Sequence, residues 1–330
     1  NYLPKTTLEG ERNLGSGYIS QEDAQDYLME LTASYSKTFK EHNLKVLGGY
    51  SFQKFTTEGV SAGNTEFLID GFSYHNLGAG GAAKPSVGSW ASKNSLGSYF
   101  ARLNYMYANR YLFEATVRAD GASNFEPDNR WGFFPSVALG WVMSEEKFME
   151  KTRSWLSNLK WRVSYGQTGN ANLSGRRFAY LSTILDDYAT LKLYKWGVES
   201  GYSKNGMAEG EFAVPDLTWE IVNKANIGLE LGLLKGLVDL QVDVFEERRH
   251  NIFMERASVP ATAGFIKKPW SNYGKVTNRG VELSLNVNKQ FNKNLYISLM
   301  GTFTYAHNEI IEKDEPQAVI GTNRAETGHP

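Results

Sequence analysis

Residues 111–120 read YLFEATVRAD, and their alternation decides the fold. The odd positions Tyr111, Phe113, Ala115, Val117 and Ala119 are apolar, while the even ones carry Glu114, Thr116, Arg118 and Asp120. A period of two puts one set on each face of an extended strand. Upstream, Tyr27, Met29, Leu31, Ala33 and Tyr35 alternate with Glu30, Thr32 and Ser34, and Tyr99, Ala101, Leu103, Tyr105 and Tyr107 with Arg102 and Asn104. Downstream, Leu159, Trp161, Val163 and Tyr165 oppose Lys160, Arg162 and Ser164. Ala225 to Leu231 oppose Asn226, Gly228 and Glu230, and Val238 to Val244 oppose Asp239, Gln241 and Asp243. Val281 to Val287 oppose Glu282, Ser284 and Asn286, and Leu295 to Tyr305 form the last apolar set.

These strands pair into five hairpins: 27–39 with 44–55, 95–108 with 111–121, 133–143 with 159–168, 219–233 with 237–248, and 276–290 with 295–306. Each hairpin has a short turn or, at Ser144-Glu145-Glu146-Lys147-Phe148, a short helical-looking piece. Long segments separate the hairpins, and 169–218 has room for one or two more strands. A long polar tail starts at 307. Short turns alternating with long loops are the habit of outer-membrane barrels, the short ends being periplasmic. A soluble β-sandwich also alternates. Its strands are typically about 5–6 residues, however, and several here read as twice that. Ten tilted residues cover an apolar band of about 25 Å. Tyr105, Tyr107, Tyr111 and Phe113 flank one turn as an interfacial girdle would. The expected fold is therefore all-β: an antiparallel transmembrane β-barrel.

Composition agrees and excludes alternatives. Aromatic residues make up 13% and glycines number 32, which suits strands and turns. A net charge of -1 leaves no basic surface for nucleic acid. Cysteine is absent, which removes disulfides, thiolate metal sites and thiol nucleophiles. No apolar run is long enough for a membrane-spanning helix, and no signal peptide opens the chain. Both ends read as cut.

Four segments resemble SusC/RagA-type, TonB-linked outer-membrane transporters. They are RADGASNFEPDNRWGFFPSVALGWVM at 118–143, LSNLKWRVSYGQTGN at 156–170, VPDLTWEIVNKANIGLELGLLKGLVDLQVDVF at 214–245 and NYGKVTNRGVELSLN at 272–286. The resemblance implies a slice, residues 1–330, of a barrel of about 22 strands, without the plug domain or either end of the full protein. It implies import of oligosaccharides or peptides, powered by TonB through the missing N-terminal part, with a SusD-like surface lipoprotein as lid. The alternative is a porin or adhesin barrel without TonB coupling.

Within a barrel, Phe133, Val137, Leu139 and Trp141 face lipid, and Ser136, Ala138 and Gly140 leave room for a plug. Glu114, Arg118, Asp120, Arg162, Glu230, Asp239, Asp243 and Glu282 line the wet lumen, where charge is tolerated. Gly121 sits in a turn-rich exit from its strand, free for positive φ. Aromatics in outer loops stack on sugar rings, which nominates Tyr194, Trp196 and Trp270. Specificity is expected in loops 56–94, 169–218 and 249–275.

Enzymatic readings are weak. Asp239 and Asp243 are about 13 Å apart on one strand face, beyond glycosidase spacing. Leu77 to Gly81 has no following helix, so it is no phosphate cradle. Asp120 to Asn129 does not match a calcium loop. His42, His75, His250, His307 and His329 have no metal-ligand spacing. No cofactor, metal or catalytic residue is expected.

Overall fold

The computed structural model describes residues 1–185, 194–195, 203–204, 208–265 and 267–330. The strands are β1 (Tyr2–Leu3), β2 (Ser16–Phe39), β3 (His42–Thr65), β4 (Ser86–Tyr107), β5 (Tyr111–Ala122), β6 (Trp131–Val142) and β7 (Leu156–Asn170). Four two-residue strands follow: β8 (Ile184–Leu185), β9 (Tyr194–Lys195), β10 (Ser203–Lys204) and β11 (Ala208–Glu209). The last are β12 (Glu220–Leu233), β13 (Val238–Glu255), β14 (Trp270–Asn292) and β15 (Leu295–Glu312). Among the described residues no helix is long and apolar enough to cross a membrane.

The chain forms two compact units. The larger comprises Glu30–Tyr50 and Gly97–Pro330. In it the strands follow the order β2-β3-β4-β5-β6-β7-β12-β13-β14-β15, so each neighbours the next long strand in sequence. All five expected hairpins are present. The strand registers carry one unbroken apolar row across seven strands: Phe113, Leu139, Val163, Ile227, Val244, Val281 and Tyr305. Leu139, Ile227, Val244 and Tyr305 are more than half exposed, and Val163 is 47% exposed. An apolar face left bare in this way lacks the second sheet that a sandwich would lay on it. Phe133 is also exposed, at 63%.

The smaller unit comprises Asn1–Met29 and Ser51–Leu96. Phe67, 2% exposed, packs edge-on against Tyr2, whose hydroxyl donates to Asp70 at 2.7 Å. Asn64 donates to the carbonyls of Leu77 and Gly80 and ties down the segment between β3 and β4. Trp90 lies over Gly59 and donates its indole N–H to Glu22 at 3.0 Å.

Several expectations need correction. The strands are longer than the apolar pattern: β2 starts at Ser16, β3 runs to Thr65 and β15 to Glu312. The long strands accordingly leave 66–85, 171–219 and 256–269 between them, and the tail begins at 313 rather than 307. Ladder hydrogen bonds carry these ends where both faces are wet and no apolar alternation is needed. Gly121 is not a positive-φ turn residue. It lies inside β5 opposite Trp131, and a Cβ there would stand 2.9 Å from the indole. The space above Gly121, rather than its backbone freedom, is what is used.

Candidate functional site: the charged face of the sheet

The row next to the apolar one lies on the opposite face: Leu112, Gly140, Arg162, Gly228, Asp243, Glu282 and Thr304. Gly228 is its key. A Cβ there would meet Asp243 Oδ1 at 2.6 Å and Arg162 Nη2 at 2.8 Å. With no side chain on β12 at this point, Arg162 reaches from β7 to Asp243 on β13, Nη2 lying 3.0 Å from both carboxylate oxygens. Arg162 Nε is 2.8 Å from Glu230, which Lys160 also approaches to 3.3 Å. Gln241 donates to Asp243 at 2.8 Å. Two cations and two carboxylates thus clamp three strands.

The first hairpins repeat the device. Phe100 lies over Gly49. Arg118 stacks on Phe100 at 5.8 Å, donates to both oxygens of Asp120 at 2.7 and 2.8 Å, and donates to the buried Ser98 at 2.8 Å. Glu114 pairs loosely with Arg102 at 3.8 Å. Of the eight expected wall residues, the structure therefore joins Arg162, Glu230 and Asp243 in one network and Arg118 with Asp120 in another. Among the described residues, Asp239 and Glu282 have no ion-pair partner. They stand two rows apart and level with Asp243, respectively, on the same face.

Sequence reasoning missed a second assembly, which draws together three of the four quoted segments and residues just past the end of the other. Phe125, Leu217, Trp219, Phe134 and Leu173 are each at most 5% exposed. Phe125 and Phe134 pack on Trp219 at 5.1 and 5.3 Å, and Trp219 donates to the Arg130 carbonyl at 3.1 Å. Asn272 accepts from Thr218 N and donates to the carbonyls of Thr218 and Asn251. Asn124 and Asn129 reach the carbonyls of Ala171 and Pro215. These contacts make a dry plinth under the loops. The one legible signal was that aromatic and Asn residues cluster at the ends of the quoted segments.

Trp270 opens β14, with Arg176 at 4.1 Å over its ring and Phe253 at 5.2 Å. Glu211, paired with Arg176 and with Lys267, is held below the usual carboxylate range chiefly by the Arg176 hydrogen bond. Trp196 lies outside the described residues, as does the side chain of Tyr194. Among the described residues, no three His, Asp or Glu side chains are grouped to hold a metal ion.

At the opposite end, the β6–β7 connector consists of the 3-10 turns Met143–Glu145 and Lys147–Thr152. Between them Glu146 accepts from Tyr111, Trp141 and Arg110 at 2.6, 3.2 and 3.0 Å. The Tyr111 hydroxyl is the main reason its carboxyl titrates low.

A family model described as "TonB dependent receptor-like, beta-barrel" matches residues 3–330. The chain belongs to the TonB-dependent receptor β-barrel family. It is 32% identical over 313 residues to TonB-dependent receptor SusC of Bacteroides thetaiotaomicron, covering 93% of this chain and 30% of that protein. TonB-dependent receptor P3 of Formosa agariphila is also 32% identical, with 94% and 30% covered. The chain thus spans about a third of the receptors it matches. The RagAB peptide transporter superposes with a TM-score of 0.77 at 23% identity, covering 96% of this chain and 34% of that one. The sheet is therefore part of an outer-membrane receptor β-barrel.

Proposed function

We propose that the whole receptor is a TonB-dependent importer of oligomeric nutrients, oligosaccharides or peptides, working with a SusD-like surface lipoprotein. The observation that carries this reading is the family match along residues 3–330, laid on a wall whose two faces differ as a membrane demands. Glu114, Arg118, Asp120, Arg162, Glu230, Asp239, Asp243 and Glu282 line the lumen. Most of their charge is spent on bracing strands, and Asp239 and Glu282 remain for the plug or passing cargo. The plinth around Trp219 gives the outer loops a rigid base. Tyr194, Trp196 and Trp270 are proposed as loop contacts for cargo, Trp270 through whatever edge Arg176 and Phe253 leave free. Energy enters through TonB, and the protein carries out no covalent chemistry. A porin or adhesin is disfavoured by the family.

The test is purification of the full-length receptor from native outer membranes in mild detergent, with mass spectrometry of co-purifying proteins. The reading predicts a stoichiometric surface lipoprotein. A receptor that emerges alone, even after crosslinking in intact cells, overturns the lid.

A further inference from the structure

On the lipid face, the row one step outward from the apolar row reads Ala115, Val137, Tyr165, Ala225, Glu246, Arg279 and His307. It is uncharged over four strands and polar over the next three. A lipid-facing Arg costs about 2–4 kcal/mol at the bilayer midplane and about 0–1 near the interface. These side chains therefore mark the outer edge of the apolar band on β13 to β15. The distance along the strand agrees. From Leu295 at the short turn to Tyr305, the lipid face of β15 carries Leu295, Ile297, Leu299, Gly301, Phe303 and Tyr305. That run, tilted, fills the roughly 25 Å band, and His307 comes next.

The cations around this edge are not equivalent. Arg248 pairs with Glu246 at 3.1 Å, Arg249 with Glu220 at 3.2 Å, Lys224 with Glu247 at 2.8 Å and Lys275 with Glu312 at 2.5 Å. Arg279 is exposed and, among the described residues, has neither ion-pair nor hydrogen-bond partner. Its neighbour in register on β13, Glu246, is engaged by Arg248, and its neighbour on β15 is His307. Below these two lies a notch floored by Val244, Val281 and Tyr305. An apolar floor within the band and an unpaired guanidinium with an imidazole at its rim match one kind of molecule: an amphiphile whose acyl chain lies on the floor and whose headgroup is anionic. Guanidinium binds phosphate through two parallel hydrogen bonds.

We infer that Arg279 and His307 hold the phosphate headgroup of an outer-leaflet membrane lipid, with its acyl chain seated against Val244, Val281 and Tyr305. The site depends only on the chain being a barrel wall and is independent of what the receptor transports. Its occupant is a fixed lipid that offsets the charge of Arg279 at the membrane edge.

The experiment is native mass spectrometry on the full-length receptor, delipidated and then titrated with three probes: a bisphosphorylated lipid A, its dephosphorylated form, and inorganic phosphate. Wild type should bind the phosphorylated lipid, with both other probes at least about tenfold weaker, the size of one lost charge-assisted contact. R279Q with H307Q should lose about tenfold or more for that lipid. R279K should keep part of the affinity, and K224Q, on the other face, should match wild type. Equal binding of the phosphorylated lipid by wild type and the double variant overturns the site. So does equal binding of the dephosphorylated lipid, which would leave only an apolar notch, or of free phosphate, which would leave no role for the chain. Should the double variant not fold, the three-probe comparison on wild type decides alone.

Discussion

Arg162 reaches Asp243 across an intervening strand, its Nη2 3.0 Å from both carboxylate oxygens, because residue 228 between them has no side chain. Replacing Gly228 by Val puts methyl groups into that path. The Asp243 side chain is only 10% exposed, so it would lose its main cation in a poorly hydrated place. Gly228→Val and Asp243→Ala should each lower unfolding stability of the full receptor by about 1–3 kcal/mol. Their double mutant should cost clearly less than the sum, since both remove the same bridge. Urea titration of the detergent-solubilised barrel measures all three, and strict additivity would show that the bridge does not depend on the gap at 228.

The plinth makes a local prediction. Asn272→Ala removes three hydrogen bonds to backbone groups and should cost about 2–3 kcal/mol. Trp219→Ala empties a site that is 4% exposed and should cost about 3–5 kcal/mol. Both should increase amide exchange at 214–219 while leaving β13 and β14 near the short turns protected. Exchange rising evenly along all strands would mean that the plinth is not a separable unit.

A third prediction concerns pH. Asp314 accepts from Ser258 N and Oγ, both at 3.0 Å, and from Arg256 Nη2 at 3.5 Å, with Arg256 Nε 3.1 Å away as an ion pair. Burial pushes its carboxyl up, but these three partners together bring it below the usual range. Glu315, accepting from Glu326 N at 2.6 Å and from Thr327 at 2.9 Å, is lowered too, chiefly by the Glu326 backbone N–H. A depressed folded-state pKa means stabilisation that is complete above the unfolded value, about 4, and lost as pH falls through the folded one. The 313–330 segment, which returns to β15 through the Ile310–His329 and Gly328–Ile310 backbone bonds, should be protected from exchange at pH 7 and released below about pH 4. Release that begins at pH 6 or above would contradict these assignments.

The period-two faces were legible in sequence because lipid and water demand opposite side chains on alternate residues. That demand placed Val137, Leu139, Val163 and Val244 on one face and Arg162, Glu230 and Asp243 on the other, as found. It fails outside the band. Ser16 to Asp26 and His307 to Glu312 are strand with no apolar alternation to announce it. The bridges were not legible either, because Arg162 and Asp243 are 81 residues apart and Thr218 and Asn272 are 54 apart. Gly121 misled for a related reason. Asp120-Gly121 is a strong local turn signal, and it was overruled by Trp131 lying opposite.

The central claim is energised import through the barrel to which this wall belongs. The most direct test is uptake by intact cells of labelled oligosaccharides and peptides too large for general porins, with the receptor gene present or deleted and with or without a protonophore. The account predicts accumulation of one class that needs the receptor and collapses when the proton-motive force is removed. Receptor-dependent uptake that continues unchanged with the protonophore would contradict it and leave a passive pore.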